Sequence, residues 1–292
     1  MSAPASALRL DVSRRRALRL PFRGDGLGRL GLTLLVLLLG VGILQPVLPI
    51  GDPLASVGPR LAGVSGAYPF GTDELGRSLL PRVAAAIRVT ILLSAAAVLV
   101  TTVVGILIGC YAAYTSRRID QFISRLTDVM FSFPTILVAV LVSVIVGPGR
   151  ATAAVAIIAV TLPTMIRVAR AEALRIIELD FVTAAEVAGG RLGRILFVHL
   201  LPNMRDAVIV QLTYSISLGM LVEGGISFLG LGVQPPQSSL GALIGHGRLY
   251  LTIAPTYALI PGLMLGLAVL AFNLVGDSLR ATVDPLREEA RP

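Results

Sequence analysis

The sequence predicts an all-α integral membrane protein with six membrane-spanning helices and both termini on the cytoplasmic side. Three observations lead there. Of its 292 residues, 55% are hydrophobic and only 14% are charged, against about 25% charged in soluble globular proteins. The apolar residues collect in runs suited to ~30 Å of hydrocarbon at 1.5 Å per residue. The arginines gather at the edges of those runs. With the N-terminus inside, the inner segments hold 19 of them and the outer segments 6, the asymmetry of a cytoplasmic face. A net charge of +8 spread in this way points to a lipid bilayer rather than to nucleic acid.

Composition also excludes several chemistries. All 25 basic residues are arginine. A P-loop needs its lysine on the phosphates, so the chain carries no standard ATP site, and it has no Schiff-base lysine. Cys110 is single and sits inside an apolar run, which suits packing and allows no internal disulfide. His199 and His246 fall on opposite sides of the predicted membrane, so they cannot share a metal. No catalytic and no metal-ligating residues are expected, and no bound cofactor.

Residues 1–29 carry seven arginines and read as a cytoplasmic arm. Ser13-Arg14-Arg15-Arg16 is weakly similar to a twin-arginine signal, but a chain that spans the membrane repeatedly favours the arm. Residues 30–50 form the first span, an apolar run longer than the ~7–15 residues of a signal peptide. Residues 51–87 are polar and rich in Gly and Pro, an external segment. In it Asp73, Glu74 and Arg77 are spaced for local pairs, and Thr72 is placed to cap a short helix. Neighbouring residues on a helix point in different directions, which argues against a catalytic carboxylate pair.

Residues 88–277 then make a five-helix core. Val89–Tyr114 is its first span, with Gly105 and Gly109 as a close-packing G-x-x-x-G. Arg117, Arg118 and Arg125 follow on the inner side. Leu126–Val146 is the next span, with Asp128 near its inner edge as a cap or ion-pair partner and Pro134 as an internal kink. A tight turn at Gly147–Arg150 leads to a short span, Ala151–Ile166, with Pro163 near its inner end. A cytoplasmic loop covers residues 168–204.

The span at Ala207–Leu231 carries Tyr214, Ser215, Ser217 and Glu223. An ionisable residue within a span is a candidate functional group. Two readings of Glu223 stand side by side: it lines a translocation path, or it pairs at an outer helix interface. Tyr214, Ser217, Glu223 and Pro134 are the candidate pathway or gating residues. Residues 233–254 are external, with His246 as a solvated loop residue. Tyr257–Val275 is the last span, and residues 278–292 form a cytoplasmic tail.

The stretch Asp180–Asn203 organises the rest. Phe181, Ala184, Ala185 and Ala188 fall on one helical face, small enough for another protein's backbone to approach. Gly189 and Gly190 mark a helix end. Leu192, Ile195 and Leu196 make a second apolar face beside Arg191 and Arg194, and Pro202 is expected to break the helix at that point. This stretch resembles the E-A-A…G…I-x-L-P loop of ABC importer permeases. Thr183, Ala184 and Ala185 stand in the first three places, Gly189 four residues on, and His199, Leu200, Leu201 and Pro202 after nine more. Thr183 replaces the usual Glu and His199 the usual Ile, as in the dipeptide/oligopeptide/nickel branch of that family.

Three more stretches are similar to the same branch: Pro69 to Ser78 (with Ser78 in place of Asp), Glu223 with Ser227 to Gly232, and Phe272 to Arg280 followed by Asp284-Pro285. The resemblance implies a type I ABC importer permease fold in the bacterial inner membrane. It implies Asp180, Thr183, Ala184, Ala185, Gly189, His199, Leu201 and Pro202 as the loop that couples to ATPase subunits. It further implies a second related permease, ABC ATPase subunits that use the ATP, and an external solute-binding protein. Di- or oligopeptides are the expected cargo, with nickel or glutathione as alternatives on the same machinery. An ion-coupled secondary transporter would leave the docking loop unexplained.

Overall fold

A computed structural model describes residues 25–283. Residues 1–24 of the expected N-terminal arm, with Ser13–Arg16, and Asp284-Pro285 with the tail after it, lie outside the described residues. Within them the chain is helical, and extended pairing is limited to the isolated bridges Ser56–Arg77 and Thr72–Ser78. Five helices are long and apolar enough to cross a membrane, and six spans result if one bent pair counts as a single span.

Helix α1 (Gly26–Leu44) opens at Asp25, whose carboxylate accepts from the Leu27 amide, satisfying one orphan donor of the first turn. It lies four residues before the expected start. Its Gly28 and Gly31 face Ser278 and Leu274 of the last helix so closely that a Cβ would not fit.

The segment after α1 contains no helix at Thr72. The Thr72 hydroxyl donates to the Pro59 carbonyl and accepts from the Ala62 amide, so it ties two loop strands together instead of capping. The local pairs do form: Arg77 Nε lies 2.6 Å from Asp73 Oδ2, and Arg77 Nη2 is 3.7 Å from Glu74.

Helix α2 (Leu79–Tyr114) begins ten residues earlier than Val89 and runs 36 residues, about 54 Å. Its outer turns are therefore helical beyond the hydrocarbon. Gly105 and Gly109 lie directly on α5 (Arg150–Ile177). That helix is not a short span. It runs through Pro163 and continues eleven residues past Ile166, carrying Arg167 and Arg170 out of the apolar zone.

The expected span at 126–146 is two helices. Helix α3 (Arg117–Phe131) and α4 (Thr135–Val146) meet at 93°. Pro134 stands at the corner as the residue before α4, not inside a kinked rod. It has no N–H to continue α3, and it pushes Phe133 away from helical backbone. The polar side of α3 is pulled across the bundle by two ion pairs. Asp120 meets Arg170, with Nη2 to Oδ2 at 2.6 Å, and Asp128 meets Arg167 at 3.0 Å. The other side, with Phe122, Leu126 and Val129, is exposed, the make-up of a helix lying in the membrane interface. The twelve residues of α4 reach about 18 Å, short of ~30 Å of hydrocarbon.

After α5 come the short α6 (Asp180–Val187), a single turn α7 (Leu192–Arg194) and a π-helical turn (Ile195–Leu200) that runs straight into α8 (Leu201–Phe228). Pro202 does not break this rod. The wide turn before it closes on Leu201 N–H to Leu196 O, Pro202 falls in the first turn where a missing N–H costs little, and Asn203 Nδ2 caps the His199 carbonyl at 2.7 Å.

The segment 233–254, expected as external, holds α9 (Leu240–Gly247). Gly241 and Gly245 rest on the backbone of Gly224 and Phe228 in α8, and Gly247 on Tyr257 and Ala258. His246 thus belongs to a packed helix, not a loop. Helix α10 (Thr256–Val283) closes the fold against α1, α8 and α9. The main core runs from Leu79, Ile91 and Val98 through Ile157 and Met220 to Tyr257. A second cluster, with Cys110, Ile176, Val182, Ile195, Leu200 and Met204, sits at the end that carries α6.

Candidate coupling loop and buried carboxyl clusters

Helix α6 ends as its glycines dictate. Gly189 has φ +81, a left-handed conformation that L side chains rarely adopt. Gly190 N–H donates to Ala185 O and Gly189 N–H to Glu186 O, both at 2.9 Å, the paired bonds of a Schellman cap. Asp180 lies in the first turn, where a negative charge suits the helix dipole.

Val182 alone plugs α6 into the fold, fully buried against the second core cluster. Phe181, Thr183, Ala184, Val187 and Ala188 are exposed, and Ala185 is half-buried. The alanine face therefore turns away from the chain's own core. His199 stacks obliquely on Phe181, with ring centroids 5.9 Å apart. Leu201 is half-buried and Pro202 exposed at the same end. Val187 at 86% and Phe197 at 60% exposure extend an apolar surface that an isolated soluble domain would bury.

The four pathway candidates do not converge. Tyr214 donates from its hydroxyl to Asp277 on α10. Ser217 is buried, with its hydroxyl 3.4 Å from the Val269 carbonyl. Pro134 is exposed at the α3–α4 corner. Glu223, nine residues beyond Tyr214, lies about 13 Å further along α8.

Glu223 is fully buried and joins three helices. It accepts from the Thr90 hydroxyl of α2 at 3.0 Å and from Ser227 at 2.6 Å. Thr90 in turn accepts from the Leu240 amide at the start of α9, and Ser227 from the Val233 amide. Among the described residues no cation lies within 4.0 Å of it. This places the carboxyl as an interhelical tie. Glu223→Leu is expected to leave two buried hydroxyls short of an acceptor and to cost about 2–4 kcal/mol. A lower unfolding temperature of the purified protein, largely restored in Glu223→Gln, is the expected reading; equal melting of Glu223→Leu and wild type would disprove the tie.

A second cluster sits at the opposite end from α6. Asp73 is fully buried. Its Oδ1 accepts from the Leu75 and Arg77 amides at 2.8 and 2.9 Å, and Arg82 Nε lies 3.3 Å from Oδ2. Nearby, burial pushes the Glu74 carboxyl up, but His246, Tyr257 and its own backbone amide outweigh this and hold it down to about 2. Sequence reasoning paired Asp73 with Arg77 but missed Arg82, which becomes visible only once α2 is seen to begin at Leu79.

Residues 105–288 match the family described as binding-protein-dependent transport system inner membrane component. The chain belongs to that family. It is similar to the di/tripeptide transport system permease protein DppC of Pseudomonas aeruginosa, 39% identical over 79% of this chain and 76% of the relative. The dipeptide transport system permease protein DppC of Alkalihalophilus pseudofirmus is 35% identical over 87% and 84%. The glutathione transport system permease protein GsiD of Pectobacterium atrosepticum is 36% identical over 76% and 74%. The chain is thus a permease component of a transport system, a multi-pass protein of the bacterial inner membrane.

Proposed function

We propose that the chain is one permease subunit of an ATP-driven ABC importer that moves di- or oligopeptides into the cell. The observation that carries the peptide reading is the family of relatives named for di- and tripeptide transport, at 35–39% identity across most of both chains. A glutathione-transporting relative of similar identity supports a second reading, the same machinery taking glutathione.

The end that carries α6 is cytoplasmic, with both termini on that side, as the arginine asymmetry favours. ATP is bound and hydrolysed on separate subunits, and this chain holds no cofactor. Those subunits seat the exposed face of α6, with Thr183, Ala184 and Gly189 at its surface. A second, related permease completes the path, and an external binding protein delivers the solute.

Two ATPase subunits that close on ATP must bind the two transporter states differently to drive the change. Displacement of α6 reaches α5 and α8 through one small apolar cluster, with Val182 against Ile176, Ile195 and Leu200. Close packing makes such a cluster stiff. The test is uptake of a labelled dipeptide in cells lacking this chain and in complemented cells. Uptake lost and restored is the expected result; labelled glutathione behaving so while dipeptide does not selects the second reading. ATP depletion should abolish uptake and an uncoupler should not.

A further inference from the structure

At the end opposite α6, a cavity of about 570 Å³ opens between α2, the start of α5 and the 236–238 segment. Arg82, Arg88 and Arg150 all line it, and among the described residues no acidic side chain does. Arg82 is 4% exposed. Its Nη2 donates to Ser238 at 2.8 Å and its Nε faces Asp73, but its Nη1 is buried with no hydrogen-bond partner. A buried donor of this kind costs free energy unless something accepts from it. Among the described residues Arg88 and Arg150 form no ion pair.

The rest of the lining is mostly apolar. Ala85, Val89, Leu92 and Leu93 fall at i, i+4, i+7 and i+8, one stripe of α2, which leads from the arginines toward the middle of the membrane. Arg88 is the last charged residue before the uncharged run to the end of α2. It therefore stands where the hydrocarbon gives way to headgroups, a level at which arginine finds phosphate.

We propose that this cavity holds the phosphate of an anionic membrane lipid between the three guanidinium groups, with an acyl chain laid along the α2 stripe. Turning the Arg82 guanidinium toward that phosphate gives the buried Nη1 the acceptor it lacks. Arg88 and Arg150 supply the charge that selects an anionic headgroup. Free phosphate has the same headgroup chemistry but nothing to fill the apolar stripe. A peptide would bring an ammonium group, which finds no acid here.

Native mass spectrometry of the complete purified transporter tests this, with phosphatidylglycerol and phosphatidylcholine offered in turn. Wild type is expected to retain phosphatidylglycerol preferentially. The double variant Arg88→Gln/Arg150→Gln removes two cations and leaves the Asp73–Arg82 contact alone, so retention should fall about tenfold or more. Leu92→Trp fills the half-exposed rim of the stripe without touching a charge, and should lower retention as well. Undiminished retention in both variants overturns the proposal. So does displacement of the lipid from wild type by inorganic phosphate alone, which would make the site one for a free anion. Unchanged lipid retention with a raised KM for dipeptide uptake in the double variant would assign the arginines to the transported solute and overturn it too.

Discussion

Gly109→Leu is expected to abolish accumulation of the folded protein. A Cβ at Gly109 would lie 2.7 Å from the Ile166 carbonyl oxygen, 2.9 Å from the Arg170 amide nitrogen and 2.8 Å from the Ala169 methyl. Two of these are backbone of α5 and cannot swing aside, so the helices would have to separate. Overpacking a close-packed interior typically costs about 1–3 kcal/mol and occasionally more, and a leucine driven against backbone atoms lies at the upper end. Gly105 offers the contrast. Its nearest neighbours are Met165 Cγ and Cβ at 2.6 and 2.8 Å, with the Ile166 amide nitrogen at 3.3 Å, so Cγ can turn aside while Cβ moves only with α5. Gly105→Ala adds a single methyl there and should cost about 1–3 kcal/mol, leaving detectable protein. Membrane abundance measured by immunoblot, and unfolding temperature for what survives, separates the two. Equal abundance of Gly109→Leu and wild type would mean that α2 and α5 do not cross at this point.

Gly189→Asp should give the converse phenotype, in which the protein accumulates and uptake fails. Nothing lies within 4 Å of a Cβ at Gly189, so the side chain itself meets no obstacle. The positive φ costs about 1–2 kcal/mol for an L residue, less for Asp, which tolerates this region better than most. The effect falls on the surface that α6 presents. A charge is added beside Ala188 and Val187, where a partner would have to desolvate it. Labelled-solute uptake is expected to drop about tenfold or more at equal abundance, with ATP hydrolysis by the assembled complex no longer stimulated by loaded binding protein. Val182→Asp is the control for the opposite cause. It puts a charge into the second core cluster and should reduce abundance as well as uptake. Normal uptake by Gly189→Asp at wild-type abundance would remove α6 from the coupling path.

The two substitutions differ because one glycine is needed for space and the other for backbone conformation. That difference also separates what is readable in the chain. Gly189 announces itself locally: a short helical face, a glycine pair and the Schellman bonds they make all lie within ten residues. The G-x-x-x-G of α2 announces close packing, but not which helix it packs on. Arg82 is hidden by the expectation that α2 begins at Val89, since Pro81, Arg82 and Arg88 interrupt the apolar residues before it.

The prolines show the limit most clearly. Pro134, Pro163 and Pro202 all stand in or beside apolar runs, and the same local rule applies to each. The chain breaks at Pro134, passes through Pro163 and starts α8 at Pro202. The missing N–H is common to all three. What differs is the surroundings: α5 is packed between α2 and α8 on either side of its proline, while α3 is tied sideways to α5 by Asp120 and Asp128 pairing with Arg170 and Arg167.

The sequence by itself determined that this is a helical membrane protein, where its apolar runs lie, and that a short helix ended by a glycine pair follows Asp180. These come from length, composition and short-range spacing, because the bilayer acts on each run separately. The tertiary structure alone decided that Glu223 ties α8 to Thr90, 133 residues away, and through Thr90 to Leu240. It alone placed three arginines around one cavity, and it alone turned α3 across α4. These depend on which helices touch and at what height, and no local pattern encodes contacts between residues so far apart in the chain.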